Sequence, residues 1–335
     1  LPFADGGGLP MPRLPAPLDL LAGILSARGW TLRDKASLLR TAMAWRGAGF
    51  RCDAHRTVAE LCAGLTQRVV QELIEPLCVS ALNTPVAQSS GQVFLRVLHD
   101  ALFSERGGAD LLLPRVDLGR LLPDAAGDWL TRQGAHLHLG RRVQALQSAA
   151  DGWQVDGEQF DQVVLAGPPW EAARLVRGAD IDAPAWVAAA EGLRYEAIAT
   201  VYAQGAARPL PAPMVALRNG PQSPAQFVFD RGQLGGPQGL LAFVVSASTV
   251  EREELQRQVL DQAARQLGET GLRVVQTVVE KRATFACTPG LVRPGAQIAP
   301  GLLACGDYVE GPYPATLEGA IRSGCEAALQ LGTAG

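Results

Sequence analysis

The chain has 335 residues, 47% of them hydrophobic and 19% charged, with a formal net charge of -3. Such a composition buries a large core, suits two structural units, and excludes an intrinsically disordered chain; without a basic run it also argues against a nucleic-acid partner. No stretch approaches the roughly 20 apolar residues of a membrane span, and no signal-peptide pattern opens the sequence.

The first residues, Asp5-Gly-Gly-Gly-Leu-Pro-Met-Pro12, read as a loop. Gly6, Gly7 and Gly8 are flanked by Pro2 and Pro10, and Gly232, Gly235 and Gly236 lie in a polar loop, so neither cluster forms a G-x-G-x-x-G that follows a strand and opens a helix. From Pro15 to Phe103 apolar residues recur at three and four positions: Leu18, Leu20, Leu21, Ile24 and Leu25, then Leu38, Leu39, Ala42 and Met43, then Val58, Leu61, Cys62 and Leu65. This periodicity predicts a series of helices, continued by Val69 to Leu82 and Val93 to Phe103 and punctuated by Pro76 and Asn83-Thr-Pro85. A helix is expected over Leu121 to Gln133. Strands are expected over Ala135 to Leu139, Val143 to Leu146, Trp153 to Val155 and Gln162 to Ala166, the last closing on Gly167-Pro-Pro169. Between Val187 and Phe285, Ala197 to Tyr202, Gln226 to Phe229 and Gly239 to Ser246 read as strands of an antiparallel sheet, and Val250 to Leu267 as an amphipathic helix.

The most informative stretch comes last. Leu302-Leu-Ala-Cys-Gly-Asp-Tyr-Val309 reads as a buried strand running into an acidic turn. The helix after it has one face nearly bare of bulk, with Gly319, Ala320, Ser323, Gly324, Ala327 and Ala328 on it. A hydroxyl at Thr316 suits a helix start, whose dipole favours a partner gaining negative charge. Asp307, at the carboxyl end of its strand, is placed to accept hydrogen bonds from ligand hydroxyls. Spacing alone leaves two readings equal: a tightly packed strand-turn-helix, or a seat for something large and flat. The six cysteines, Cys52, Cys62, Cys78, Cys287, Cys305 and Cys325, contain no CxxC pair, which points to a reducing compartment and away from a metal site. His55, His99, His136 and His138 form no recognisable catalytic arrangement.

The segment from Gly306-Asp307 through Tyr313-Pro314 to Gly319-Ala-Ile-Arg-Ser-Gly324 resembles the C-terminal flavin-binding motif of the flavin amine oxidase and phytoene desaturase superfamily. Within it, Glu75 to Pro85, Asp110 to Leu118, Tyr195 to Thr200 and Glu280 to Phe285 are similar to the squalene-associated branch, the hydroxysqualene dehydroxylases of bacterial hopanoid synthesis. The resemblance implies an α/β fold: a partial Rossmann-like FAD-binding domain with a discontinuous α+β substrate or cap domain. The expected order is helical cap at 1–110, middle of the FAD domain at 111–175, substrate domain at 176–290, and the end of the FAD domain at 291–335. The family's usual N-terminal βαβ unit, about 30 residues, is expected to be missing from this stretch, which on its own should be colourless and prone to associate.

The same resemblance implies FAD as cofactor, touched by Val143, Gly167, Gly306, Asp307, Pro314, Ala315, Thr316 and Gly319. Asp117, Lys281 and Tyr313 become the candidate catalytic groups, against alternatives of an interdomain ion pair for the first two and simple packing for Tyr313. The implied reaction is reductive removal of a hydroxyl from hydroxysqualene, and a cap rich in Leu, Val and Ala agrees with a long apolar isoprenoid. Such a substrate reaches the enzyme from a bilayer, so a cytoplasmic protein docked on the inner face of the membrane is expected, with the helices of Pro15 to Phe103 as docking surface. A desaturase or amine oxidase of other specificity, and a relic that has lost FAD, are the alternatives.

Overall fold

The structure is a computed structural model describing residues 3–6, 18–27, 29–101 and 110–332, with the side chains of residues 18–20 outside the description. Parts of the predicted N-terminal loop and both ends of the predicted helical run, Pro15 and Phe103, lie outside the described residues. The chain divides into two compact units, Leu1–His136 with Glu196–Thr284, and Leu137–Tyr195 with Phe285–Gly335. Where the sequence suggested changes after 110, 175 and 290, the chain passes between units after 136, 195 and 284.

The first unit combines helices with an antiparallel sheet. Helix Leu32–Gly47 starts at a capping box: the Thr31 hydroxyl accepts from the Asp34 N–H at 3.2 Å while Asp34 accepts from the Thr31 N–H at 2.8 Å. Ile24, Leu38 and Val69 make a small core among these helices. The sheet has five strands in the order Met214–Ala216, Phe227–Asp230, Leu240–Ser246, Tyr195–Gln204, Arg273–Phe285. Alternation along Tyr195–Gln204 buries Ala199, Val201 and Ala203, and these pack with Phe243 and with Leu255, Val259 and Ala263 of helix Arg252–Leu267.

One buried residue ties this unit together. Helix Glu75–Leu82 ends at Asn83, in the left-handed conformation (φ 47°) that Asn tolerates better than most side chains. Its amide donates to the Glu196 carbonyl at 3.3 Å and to Thr284 Oγ1 at 3.0 Å, and its oxygen accepts from the Ala247 N–H at 2.7 Å. Three of the four segments that carried the branch resemblance therefore meet at one side chain.

The second unit holds two three-stranded sheets. Leu146–Ala149, Gly152–Val155 and Glu158–Phe160 form an antiparallel meander. In the other, Val163–Leu165 pairs in parallel with Leu302–Ala304, with Gln297–Ala299 antiparallel on the far side. Helices Pro169–Gly178, Pro184–Glu191 and Leu317–Gly332 complete the unit.

Two predicted elements take another form. Residues 135–145 contain no strand, and Leu139 is 91% exposed. The alternation of His and Leu there has no partner strand among the described residues to take its backbone bonds, so period alone does not make a strand. The single helix predicted over Leu121 to Gln133 is two, Leu118–Leu121 and Pro123–Arg132. Pro123 pushes the residue before it out of the helical region, and Leu122 sits at φ -135°, ψ -54°.

Candidate functional site

The parallel register sets Ala304 beside Leu165, so the chain leaves both strands on the same side, towards Gly167 and Gly306. Ligands of open α/β sheets bind beyond such carboxyl ends. At Gly306 (φ 155°) an added Cβ would lie 2.7 Å from the Tyr308 ring, so only glycine lets that aromatic fold back under the turn. Tyr308 is 1% exposed, and its hydroxyl is buried without a partner among the described residues. Burial, with Cys305 and Asp307 nearby, pushes its phenol well above the ordinary range.

Asp307 is half-buried beside it. Burial raises its carboxyl above the usual range, opposed by the N–H groups of Asp307 and Tyr308 and by Arg293. The turn closes where the Ala315 N–H donates to the Asp307 carbonyl at 3.2 Å, with Ala315 in the left-handed region (φ 55°), a conformation that costs a non-glycine residue on the order of 1 kcal/mol. Pro314 is buried ahead of it.

Thr316 starts helix Leu317–Gly332 as expected: its hydroxyl accepts from the Gly319 N–H at 3.0 Å and donates to the Tyr313 carbonyl at 2.9 Å. A Cβ on Gly319 would stand 2.1 Å from that same carbonyl, so the turn and the helix approach each other through a gap only glycine leaves. Gly306, Asp307, Pro314, Ala315, Thr316 and Gly319 are thus one continuous feature. Gly167 stands at the end of the adjacent strand, exposed, with open space where a side chain would be.

Two residues that were not among the candidate site residues hold the feature in place. Ser323, 6% exposed, accepts from the Gly306 N–H at 2.8 Å and lies 3.0 Å from the Gly306 carbonyl, so the helix grips both polar groups of that glycine. Arg293 donates to the carbonyls of Val309, at 2.7 Å, and Gly311. Ser323 was visible as one small residue in a small-residue face; nothing local marked Arg293, eighteen residues from its second partner.

The remaining sequence candidates are placed as follows. Val143 lies outside any strand, and its carbonyl accepts from Arg174 at 2.8 Å, while Arg174 also bonds Gln144 and Glu171. Glu171 is held below the usual carboxylate range by Arg142 and then Arg174. Asp117 is exposed and caps helix Leu118–Leu121, accepting from the Arg120 N–H at 3.0 Å. Lys281 is exposed on strand Arg273–Phe285. Tyr313 is half-buried, with the Arg322 guanidinium 5.2 Å from its ring centre. Asp117 and Lys281 belong to the first unit and Tyr313 to the second.

A parallel strand pair ending in an acidic turn, faced by a capped helix of small residues, defines an α/β binding unit for a ligand with hydroxyls and a flat edge. The chain belongs to the family of flavin containing amine oxidoreductases, whose profile matches residues 11–331. It is 29% identical over 272 residues to a hydroxysqualene dehydroxylase of Rhodopseudomonas palustris, covering 76% of this chain and 61% of that protein. It is 27% identical over 280 residues to a hydroxysqualene dehydroxylase of Zymomonas mobilis, covering 77% of this chain and 62% of that one. The chain therefore spans less than two thirds of the length of these relatives. Among solved structures it is similar to cyclohexylamine oxidase from Brevibacterium oxydans, with a TM-score of 0.61, 14% identity, and coverage of 95% of this chain and 75% of that one. The fold is of the flavin amine oxidase type, as the C-terminal motif led one to expect.

Proposed function

We propose that this chain is the larger part of an FAD-dependent oxidoreductase that removes the hydroxyl of hydroxysqualene to give squalene. The observation that carries the reading is the continuous feature from Gly306 to Gly319, at the carboxyl end of a parallel strand pair and packed so that only glycine fits at its closest approach. Family membership and the two hydroxysqualene dehydroxylases support the cofactor and the substrate. The residues fit a flavin dinucleotide. Asp307 offers a carboxylate to ribityl or ribose hydroxyls, and the Thr316 end of the helix offers positive potential to the edge of the ring that gains charge on reduction.

Bound FAD in its reduced form would supply the hydride. The reaction then breaks a C–O bond, sends the oxygen away as water once it has taken a proton, and forms a C–H bond. Asp307 and Thr316 bind and orient, and the packed Tyr308 seals the foot of the turn from water. We assign Tyr313, next to the capped helix start, to the border between ring and substrate.

Because the substrate comes from a bilayer, we place the protein on the inner face of the cytoplasmic membrane. Among the described residues no helix is long and apolar enough to cross one. Leu25, Leu32 and Met43 are 56%, 86% and 66% exposed on the first two described helices and supply a docking surface. The test is to purify the protein at its natural length, reduce it anaerobically and add hydroxysqualene. Squalene formed in proportion to flavin is the expected result. Hydrogen peroxide formed from an amine, with hydroxysqualene untouched, would move the protein to another branch of the family.

A further inference from the structure

We propose that Arg293 is a positioning residue for the turn that carries Asp307, acting on the cofactor only through that carboxylate. The inference rests on the flavin reading above. Arg293 lies in the loop between strands Arg273–Phe285 and Gln297–Ala299. Its guanidinium reaches the carbonyls of Val309 and Gly311, which flank Glu310 just beyond the acidic turn. The backbone beside it runs along the same segment: the Glu310 N–H donates to the Pro294 carbonyl at 2.9 Å and the Ala304 N–H to the Ala296 carbonyl at 2.7 Å. Residues 293–296 thus brace 304–311, while Ser323 grips Gly306 from the helix.

The bracing uses a planar fork to bridge two carbonyls two positions apart, with a fixed geometry that a lysine ammonium lacks. The choice of residue has a second consequence. The side chain is partly desolvated, and among the described residues no carboxylate lies within ion-pair distance of it, so its charge is not spent in a local pair. That charge acts on Cys287, Glu310 and Asp307 together, and at Asp307 it favours the ionised form that burial disfavours. Geometry and charge therefore both bear on the segment that carries Asp307, the group assigned to the hydroxyls of FAD.

The test is a double-mutant cycle in the protein at its natural length, reading the dissociation constant for FAD by flavin fluorescence and the melting temperature without FAD. Arg293→Met should weaken FAD binding by about 10- to 100-fold, the range for losing a hydrogen bond to a charged group. Arg293→Lys, which keeps the charge and loses the fork, should recover part of that loss. In an Asp307→Ala background, Arg293→Met should change FAD affinity by less than about threefold, since a residue acting through Asp307 has nothing left to act on. A merely structural brace lowers the melting temperature alike in both backgrounds and gives additive losses in affinity; that outcome overturns the assignment. An unchanged FAD affinity in Arg293→Met does so too. If Arg293→Met does not fold, the same cycle with Arg293→Lys decides. Wild-type protein that takes up no FAD would instead sink the flavin reading, and this assignment with it.

Discussion

Asp307 is an ionisable side chain held where its charge is disfavoured. Burial lifts its folded-state carboxyl above the unfolded value despite Arg293 and two backbone N–H groups. A raised carboxyl contributes stability that is fully present below the unfolded pKa, about 4, and is lost as pH rises through the folded value. Flavin-free Asp307→Asn should therefore melt higher than wild type at neutral pH, with the gap closing below about pH 4. Thermal unfolding across pH checks this; a variant less stable than wild type at pH 7 contradicts it. The same position should lose about 1.5 to 3 kcal/mol of FAD affinity on Asp307→Ala, the range for a hydrogen bond to a charged group. A site that costs stability and confers binding is the mark of a functional residue. Cys305 sits two residues away, and burial raises its thiol, which disfavours the thiolate a covalent flavin link would need. Flavin should separate from the polypeptide on a denaturing gel, and fluorescence that stays with the band would overturn this.

At the scale of elements, the C-terminal helix carries glycines with opposite duties. Gly319→Ala places a methyl against the Tyr313 carbonyl and should destabilise the protein by roughly 1 to 3 kcal/mol through overpacking, with loss of flavin. A Cβ added at Gly324 would meet no atom within 4 Å, so Gly324→Ala should stabilise the flavin-free protein by about 0.5 to 1 kcal/mol. Denaturant unfolding of the two variants reads the contrast, and equal effects would show that the approach at Gly319 is not tight. This helix, its Thr316 start and the strand before it were legible in the sequence because their signals are local: a run of apolar residues, a hydroxyl, and small residues at helical spacing. The side chains that tie each unit together were less so. Arg293 and Asn83 act across long separations, and a lone Arg or Asn has no period to betray it. The strand predicted at Ala135 to Leu139 failed for the converse reason, a clear period with no partner strand. Asn83→Ala should cost about 2 to 4 kcal/mol by leaving buried groups unpaired and a non-glycine residue in the left-handed region. Asn83→Gly should recover only the backbone share; equilibrium unfolding that finds both variants near wild type would remove the residue from the architecture.

For the whole molecule, a discontinuous organisation in two units was expected from motif order, and the chain divides into two discontinuous units with other points of passage. Two of the three, after 195 and after 284, fall inside the long strands Tyr195–Gln204 and Arg273–Phe285. The membrane reading belongs to this scale too. The protein at its natural length should float with liposomes, and replacing Leu25, Leu32 and Met43 by Ser should release it; absence from the lipid fraction at low and high salt would require a partner that delivers the substrate. The central claim is that the turn and helix from Gly306 to Gly319 form an FAD site, and one titration tests it most directly. FAD added to flavin-free protein at its natural length should bind non-covalently at one per chain, with affinity falling by about 10- to 100-fold in Asp307→Ala. Tight binding that is unchanged by Asp307→Ala and by Gly319→Ala would place the cofactor elsewhere and contradict the account.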